Sequence, residues 1–439
     1  MEVQVAGENH DLHAGAKQLL SSEGARMQYV SHQAEPYRLE IVQRTDLVEV
    51  HTVLTAYDDC GTIRCRNTVR NVAARPITLE SVSTITLPGF GKNGTASTKE
   101  LYLYRFTNSW HVECQPRVHS LFELGLFRGN LRSMKRVAGC NTGSWSTKEE
   151  LPQAILEDRE SGTFTMFEIE NNGSWYWEIS DNDYQLYWLL SGPNQHFNQW
   201  SKVLQPGECF ETVPVAICCS DSLDGVIGEM TRYRRHIRRP CAPMEQLPVI
   251  FNEYMHASWD NPSEENTRCM APAVAETGAE YYVIDCGWHN EADVVQPYLG
   301  DWKDSRTRFP SGVKATIDYL HSLGLKAGLW LEPEAVGYLC EEMNRYYDKD
   351  CFFCRNGEKI QTQGHYQLDF RHPKVIGFME ELFRRLIVDY GVDYLKLDYN
   401  HCTGPGTECH SDSLGDGLLG HGQAYLAFLR RMMDTYTRR

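Results

Sequence analysis

Four acidic residues close short apolar runs in the second half of the chain: Asp285 in YYVIDCGW, Glu332 in GLWLEPE, Asp369 in YQLDF and Asp398 in YLKLDYN. A carboxylate in such a run is costly to bury unless it is hydrogen-bonded or put to use. Asp398 has the strongest local case. Side chains alternate along a strand, which puts Tyr394, Lys396 and Asp398 on one face and Leu395 and Leu397 on the other. The leucines suit packing against helices, leaving a lysine and an aspartate to point inward. A cation beside the acid favours its ionised form, the form in which a carboxylate acts as a nucleophile. The competing reading is structural: such acids also cap helices or pair with Arg and Lys, and Lys396 with Asp398 would then be an internal ion pair.

Trp330 and Glu332 alternate onto one face of their run, giving a flat apolar plate beside an acceptor. Sugar rings have apolar C–H faces and polar rims, so a tryptophan plate among carboxylates suits a sugar. A tryptophan in a strand also serves as plain core. Trp175, Tyr176, Trp177, Tyr187 and Trp188 are read as sandwich packing. The pairs Cys351/Cys354 and Cys402/Cys409, the second flanked by His401 and His410, have some metal-ligand character. Neither has the second matched pair of a zinc ribbon, so no metal site is expected.

The elements that must position these residues are βα units. Strand-like runs at 249–254, 281–285, 326–331, 366–370 and 394–398 are each followed by a helix-length stretch, around 263–277, 312–323, 335–347, 373–390 and 421–437. Ser263 and Ser311 are plausible N-caps of the first two. Such repeats imply a parallel sheet covered by helices. A closed barrel is favoured over an open dinucleotide-binding sheet because no Gly-rich loop follows the first strand. In a barrel, the strand C-termini share one face and the four acids converge there. A (β/α)8 barrel needs eight strands, and this sequence supplies about five before Arg439.

The first half reads differently. Alternating runs at 47–57, 61–71 and 76–87 have the period of antiparallel strands. GTFTMFEIENNGSWYWEI reads as a hairpin about Asn171, Asn172 and Gly173. Ile227, Met230, Tyr233 and Ile237 mark an amphipathic helix, and Pro240, Pro243 and Pro248 then break it. The expected architecture is multidomain β and α/β: an antiparallel β-sandwich with a linker helix over 1–240, then a partial (β/α)8 barrel over 246–439.

Composition fits a folded chain of 439 residues, with 41% hydrophobic and 23% charged residues. A net charge of −16 argues against binding to nucleic acid or an anionic membrane. No basic start followed by an apolar stretch opens the chain, and no apolar run approaches a membrane span, so the expectation is a cytoplasmic protein with no membrane partner. The fifteen cysteines, scattered through a large chain, are read as reduced thiols.

At these same residues the chain resembles the α-galactosidases of glycoside hydrolase family 36. The likeness covers nearly the whole chain. GSWSTKEELP at 143–152, LEDRESG at 156–162, NNGSWYWEIS at 171–180 and MTRYRRHIRRP at 230–240 look like that family's β-sandwich and connecting helix. YYVIDCGW, the GDW of 300–302, RFPSGVKATIDYLHSLGLKAGLWLEPE, LDFRHPKV and YLKLDYN follow its barrel motifs in order.

The resemblance implies a retaining double displacement on terminal α-galactosides. Asp398 matches the nucleophile, Lys396 and Asn400 match residues that hold sugar hydroxyls, Trp330 matches a wall of the site, and Asp285 matches an acid that grips the ring. The family's acid/base lies after the sixth barrel strand and is expected beyond Arg439; Asp412 and Asp416 could be proposed as substitutes, with no reason to choose either. Three departures bear on the sugar. Cys286 stands where a second acid is typical, His372 precedes the proline with Arg371 displaced by one as the substrate-binding arginine, and Tyr254 lies near a position often held by tryptophan. An α-N-acetylgalactosaminide or another α-linked sugar is therefore the rival substrate, and a catalytically incomplete sugar-binding remnant is the rival class. The expected partner is an α-linked oligosaccharide or glycoconjugate, a homo-oligomer is compatible with the family, and no metal or organic cofactor is implied because the chemistry needs carboxylates only.

Overall fold

The computed structural model describes residues 1–7, 17–19, 21–90, 97–127, 135–182, 185–241 and 245–437. They belong to two compact units, Met1–Arg238 with Gly404–Leu419, and Arg239–Thr403 with Gly420–Arg439. Of the three prolines read as the junction, Pro243 lies outside the described residues. The membership of 404–419 in the first unit has no counterpart in the sequence reading.

The first unit holds two antiparallel sheets, one of six strands and one of ten. The alternating runs fold as Val48–Tyr57, Cys60–Asn71 and Ile77–Phe90. Val48, Val50 and Val69 of the larger sheet share a buried cluster with Trp177, Trp188 and Leu190 of the smaller. Phe167 meets Trp177 at 5.8 Å and Trp188 at 4.7 Å, both edge-on. This is the face-to-face packing of a β-sandwich.

Two local expectations fail here. Thr163–Ile169 and Trp175–Asn182 do not form a hairpin. The former pairs with Glu150–Asp158 and Val215–Ser220 in the larger sheet, and the latter with Gln185–Ser191 and Val137–Asn141 in the smaller. Burial along both faces of Trp175–Asn182 draws that strand into the other layer. The linker helix, Leu223–Ile237, buries Val226, Met230 and Tyr233, whereas Ile227 and Ile237 are exposed. The packed stripe follows i, i+4, i+7 from Val226.

The second unit carries a parallel sheet of four strands hydrogen-bonded in chain order: β1 (Ile250–Asn252), β2 (Tyr281–Ile284), β3 (Lys326–Leu331) and β4 (Tyr394–Leu397). Every residue of β2, and all of β3 after Lys326, is buried, as in parallel strands covered on both faces. Helices α1 (Glu264–Glu276) and α2 (Val313–Ser322) connect successive strands, and α3 (Pro373–Arg384) precedes β4. Ser263 caps α1, its Oγ accepting from Asn266 N at 3.1 Å. Ser311 does not cap α2. Gly312 occupies that position at φ +87°, and the Asp304 carboxylate takes the Val313 amide at 2.9 Å.

Among the described residues the parallel sheet has four strands, not about five. His365–Gln367 pairs antiparallel with Ala335–Gly337 and with Gln361–Thr362 in a separate three-stranded sheet. Gln363 and Gly364 both take positive φ, the geometry of a tight two-residue hairpin turn. Local hairpin closure wins over a long parallel crossover.

Candidate active site

The C-terminal ends of β2, β3 and β4 bring Asp285, Glu332 and Asp398 together. Asp398 Oδ1 accepts from its neighbour's amide, Tyr399 N, at 2.9 Å. Its Oδ2 accepts from Trp330 Nε1 at 2.9 Å and Asn400 Nδ2 at 2.9 Å. Asn400 also donates to Glu332, from its backbone N at 2.6 Å and its Nδ2 at 3.3 Å. One asparagine and one indole thus tie the ends of β3 and β4 together.

Lys396 does not pair with Asp398. In register it lies opposite Trp330, and its Nζ reaches Asp285 Oδ2 at 2.7 Å. Asp285, only 2% exposed, also accepts from Asn252 Nδ2 at 2.6 Å and from Cys286 N at 2.8 Å. A long flexible stem lets the charge cross to the buried acid of β2. Asp398 is held by hydrogen bonds in place of an ion pair.

Trp330 is 1% exposed, so the plate inferred from sequence is mostly core and its polar edge is what meets the site. Behind it, His289 stacks at 5.9 Å and 10°, and Trp302 lies at 6.0 Å. Burial, then the charge of Arg308, pushes the His289 imidazole down to about 3. Beside the acids, burial first and then the surrounding carboxylates push the Cys286 thiol far above its usual range. Gly287 follows at φ +107°, with the Asp260 carbonyl so near that a Cβ would come within 2.4 Å. Tyr254 OH donates to Asp260 at 2.9 Å.

Asp369, off the parallel sheet, is not tied to the other three acids. Arg371 Nη2 holds it at 2.6 Å, and His421 lies 3.8 Å away. Burial is outweighed by His421 and Arg371, which keep Asp369 well below the usual carboxylate range. Asp412 and Asp416 belong to the first unit, where both pair with Lys202 at 2.9 and 3.0 Å. The Cys351 and Cys354 thiols diverge, one to His372 Nδ1 at 3.4 Å and the other to backbone carbonyls. Sequence reading missed Asn252 and Gln367. Asn252 ends β1, so the strand-end rule that found the acids would have found it had polar as well as charged residues been sought. Gln367, which takes Tyr399 OH at 2.8 Å, carries no such signal.

Residues 209–438 match the family model named Melibiase. The chain belongs to the Melibiase family. Among curated relatives, this Melibiase chain is 27% identical to α-galactosidase AgaA of Geobacillus stearothermophilus over 64% of its length, and 25% identical to α-galactosidase Mel36A of Lactobacillus acidophilus over 66%. It spans only 38% and 40% of those two proteins. The crystal structure of a family 36 AgaA variant from G. stearothermophilus with 1-deoxygalactonojirimycin superimposes with a TM-score of 0.80 at 21% identity, over 94% of this chain and 58% of that one. The galactosidase domain of AgaSK gives 0.79 at 19% identity, over 99% and 59%. At these identities the likeness is one of fold. Among the described residues of this Melibiase chain, no helix is long and apolar enough to cross a membrane.

Proposed function

We propose that this chain is the nucleophile-bearing part of a retaining α-glycosidase that hydrolyses terminal α-galactosides of oligosaccharides. The observation that carries the reading is Asp398: a carboxylate at a parallel-strand end, held by three N–H donors and free of a direct ion pair with Lys396. These hydrogen bonds aim it without a countercharge to blunt its attack. One Asp398 oxygen forms a bond to the anomeric carbon as the bond to the leaving oxygen breaks. Water then cleaves the glycosyl ester from the face the leaving group had occupied, so configuration is retained. The leaving oxygen's proton comes from a second carboxyl group about 5 Å from the first. Trp330 and Asn400 orient Asp398, while Asp285, Lys396 and Arg371 take sugar hydroxyls.

Family membership and relatives named α-galactosidase support the sugar, and AgaA variants have been crystallised with raffinose and stachyose. The same reading includes closure of the sheet into a (β/α)8 barrel, a homo-oligomer and a cytoplasmic location, the last in keeping with fifteen cysteines that form no disulfide. Cys286 favours a second sugar. Its protonated thiol is a poor acceptor for the outer hydroxyl that an acid there would hold, so an α-N-acetylgalactosaminide is the alternative.

The test is covalent trapping with 5-fluoro-α-galactosyl fluoride. Fluoride leaves without a proton, and the ring fluorine slows the oxocarbenium-like second step, so the ester accumulates. Mass spectrometry is expected to place the label on Asp398. Label elsewhere, or turnover of nitrophenyl α-galactoside without any label, would overturn the assignment. Neither label nor turnover on the galactoside or its N-acetylgalactosaminide would favour a sugar-binding remnant.

A further inference from the structure

Joined to Asn400 through Glu332 is a second group of side chains that the glycosidase reading does not use. Glu332 is 0% exposed, and His365 and His401 are each 1% exposed. One ligand atom from each lies within 4.8 Å of the other two. His401 Nδ1 stands 3.5 Å from Glu332 Oε1. Neither ring nitrogen of His365, nor Nδ1 of His401, has a hydrogen-bond partner.

The surroundings fix which atoms are lone pairs. The Gln367 amide nitrogen donates to Glu334 Oε2 at 3.2 Å and to the Leu368 carbonyl at 3.1 Å, so its oxygen must face the other way. That oxygen accepts from His401 Nε2 at 2.7 Å, which puts the proton of a neutral ring on Nε2 and leaves Nδ1 as a lone pair toward Glu332. His365, buried and without a hydrogen-bond partner at either ring nitrogen, offers a lone pair in either tautomer of its neutral ring. The protein thus aims a carboxylate and two imidazole lone pairs at one buried point, with Asn400 donating to the carboxylate from the side of Asp398.

Acceptors gathered in a dry place repel unless a cation joins them. The dimensions suit one. A tetrahedral ion with ligands at about 2.0–2.1 Å holds them roughly 3.4 Å apart, close to the Glu332–His401 separation, and places two imidazole centroids roughly 5 Å apart. The His365 and His401 centroids are 5.3 Å apart. A shift of His365 on the order of an ångström completes the contact. Gln367 on the far nitrogen of His401 is the outer partner that metal-bound histidines usually have.

We propose that Glu332, His365 and His401 bind a divalent transition-metal ion of the Zn2+ class, which steadies Glu332 and through Asn400 the seat of Asp398. Two imidazoles and a carboxylate suit Zn2+ over the oxygen-preferring Mg2+ and Ca2+. The ion neutralises a buried carboxylate and breaks no bond. The site stands independently of the glycosidase reading, because metal content and unfolding temperature report it whether or not the protein turns over sugar.

The experiment uses the whole chain, purified without a metal-affinity step. Elemental analysis is expected to find about one Zn2+ per chain, and chelation to lower the unfolding temperature, with Zn2+ restoring it. Co2+ added to the chelated protein should give the visible bands of a tetrahedral site. His365→Ala and His401→Gln should lose the stoichiometric metal and the response to Zn2+, whereas His236→Ala, in the first unit's Asp59–Cys60–His236 group, should keep both. Should either variant fail to fold, the chelation and Co2+ measurements on the unaltered protein decide. No stoichiometric metal together with an unfolding temperature indifferent to chelator and Zn2+ would overturn the proposal, as would metal retained in His365→Ala.

Discussion

Trp330 and Asn400 each give one N–H to the same oxygen of Asp398, so the carboxylate proposed as nucleophile is oriented by two side chains that need not touch a sugar. A hydrogen bond to a charged group contributes about 1.5–3 kcal/mol. Trp330→Phe keeps most of the buried ring and removes only the donor. It is expected to slow glycosyl-ester formation roughly 10–100-fold with little change in unfolding temperature, read from trapping rates and thermal melts. Asp285 depends on its partners differently. Lys396→Met leaves that carboxylate, 2% exposed, with Asn252 and one backbone amide. The lysine is 37% exposed, so solvent discounts the loss to about 1–2 kcal/mol, measured by denaturant titration. Asp285→Asn in the same chain should recover part of it.

At the scale of elements, the site depends on how β2 hands over to the following loop. Gly287 takes φ +107°, and a methyl there would lie 2.4 Å from the Asp260 carbonyl, a backbone atom that cannot swing aside. Gly287→Ala therefore meets backbone strain and a clash together. The expected cost is more than about 2 kcal/mol, with weaker trapping at Asp398 because the Asp285–Cys286 strand end shifts. An unchanged melting temperature would count against this account. The hairpin at Gln363–Gly364 has the opposite lesson, since two positive-φ residues redirect an apolar run that otherwise reads as a barrel strand.

For the whole molecule, pH is the variable that tests burial. His289 is neutral in the fold down to about 3, against an ordinary value of 6.5. Its contribution is full above 6.5. As pH falls through the window from 6.5 to about 3, the unfolded chain takes up a proton that the folded chain refuses, and stability is lost by up to about 1.4 kcal/mol per pH unit. His289→Phe preserves a ring against Trp330 and should flatten that acid limb in denaturation followed by tryptophan fluorescence. Equal slopes in the two proteins would show that His289 is not the group responsible. At neutral pH the net charge of −16 works against association with phosphate polymers.

The sequence by itself determined the period-2 runs of the sandwich, the three acids that meet among the four candidates, Trp330 and Lys396 beside them, and the family resemblance that added Asn400. These are legible because alternation and strand-end position are local properties of the chain. Only the tertiary structure decided the pairings. Lys396 serves Asp285 across the sheet instead of its neighbour Asp398, and Asp369 goes with Arg371. Thr163–Ile169 and Trp175–Asn182 go to different sheets, and Asp412 and Asp416 go to Lys202. Each outcome turns on which partner lies within about 3 Å, a distance that residues far apart in sequence acquire only when the sheets close.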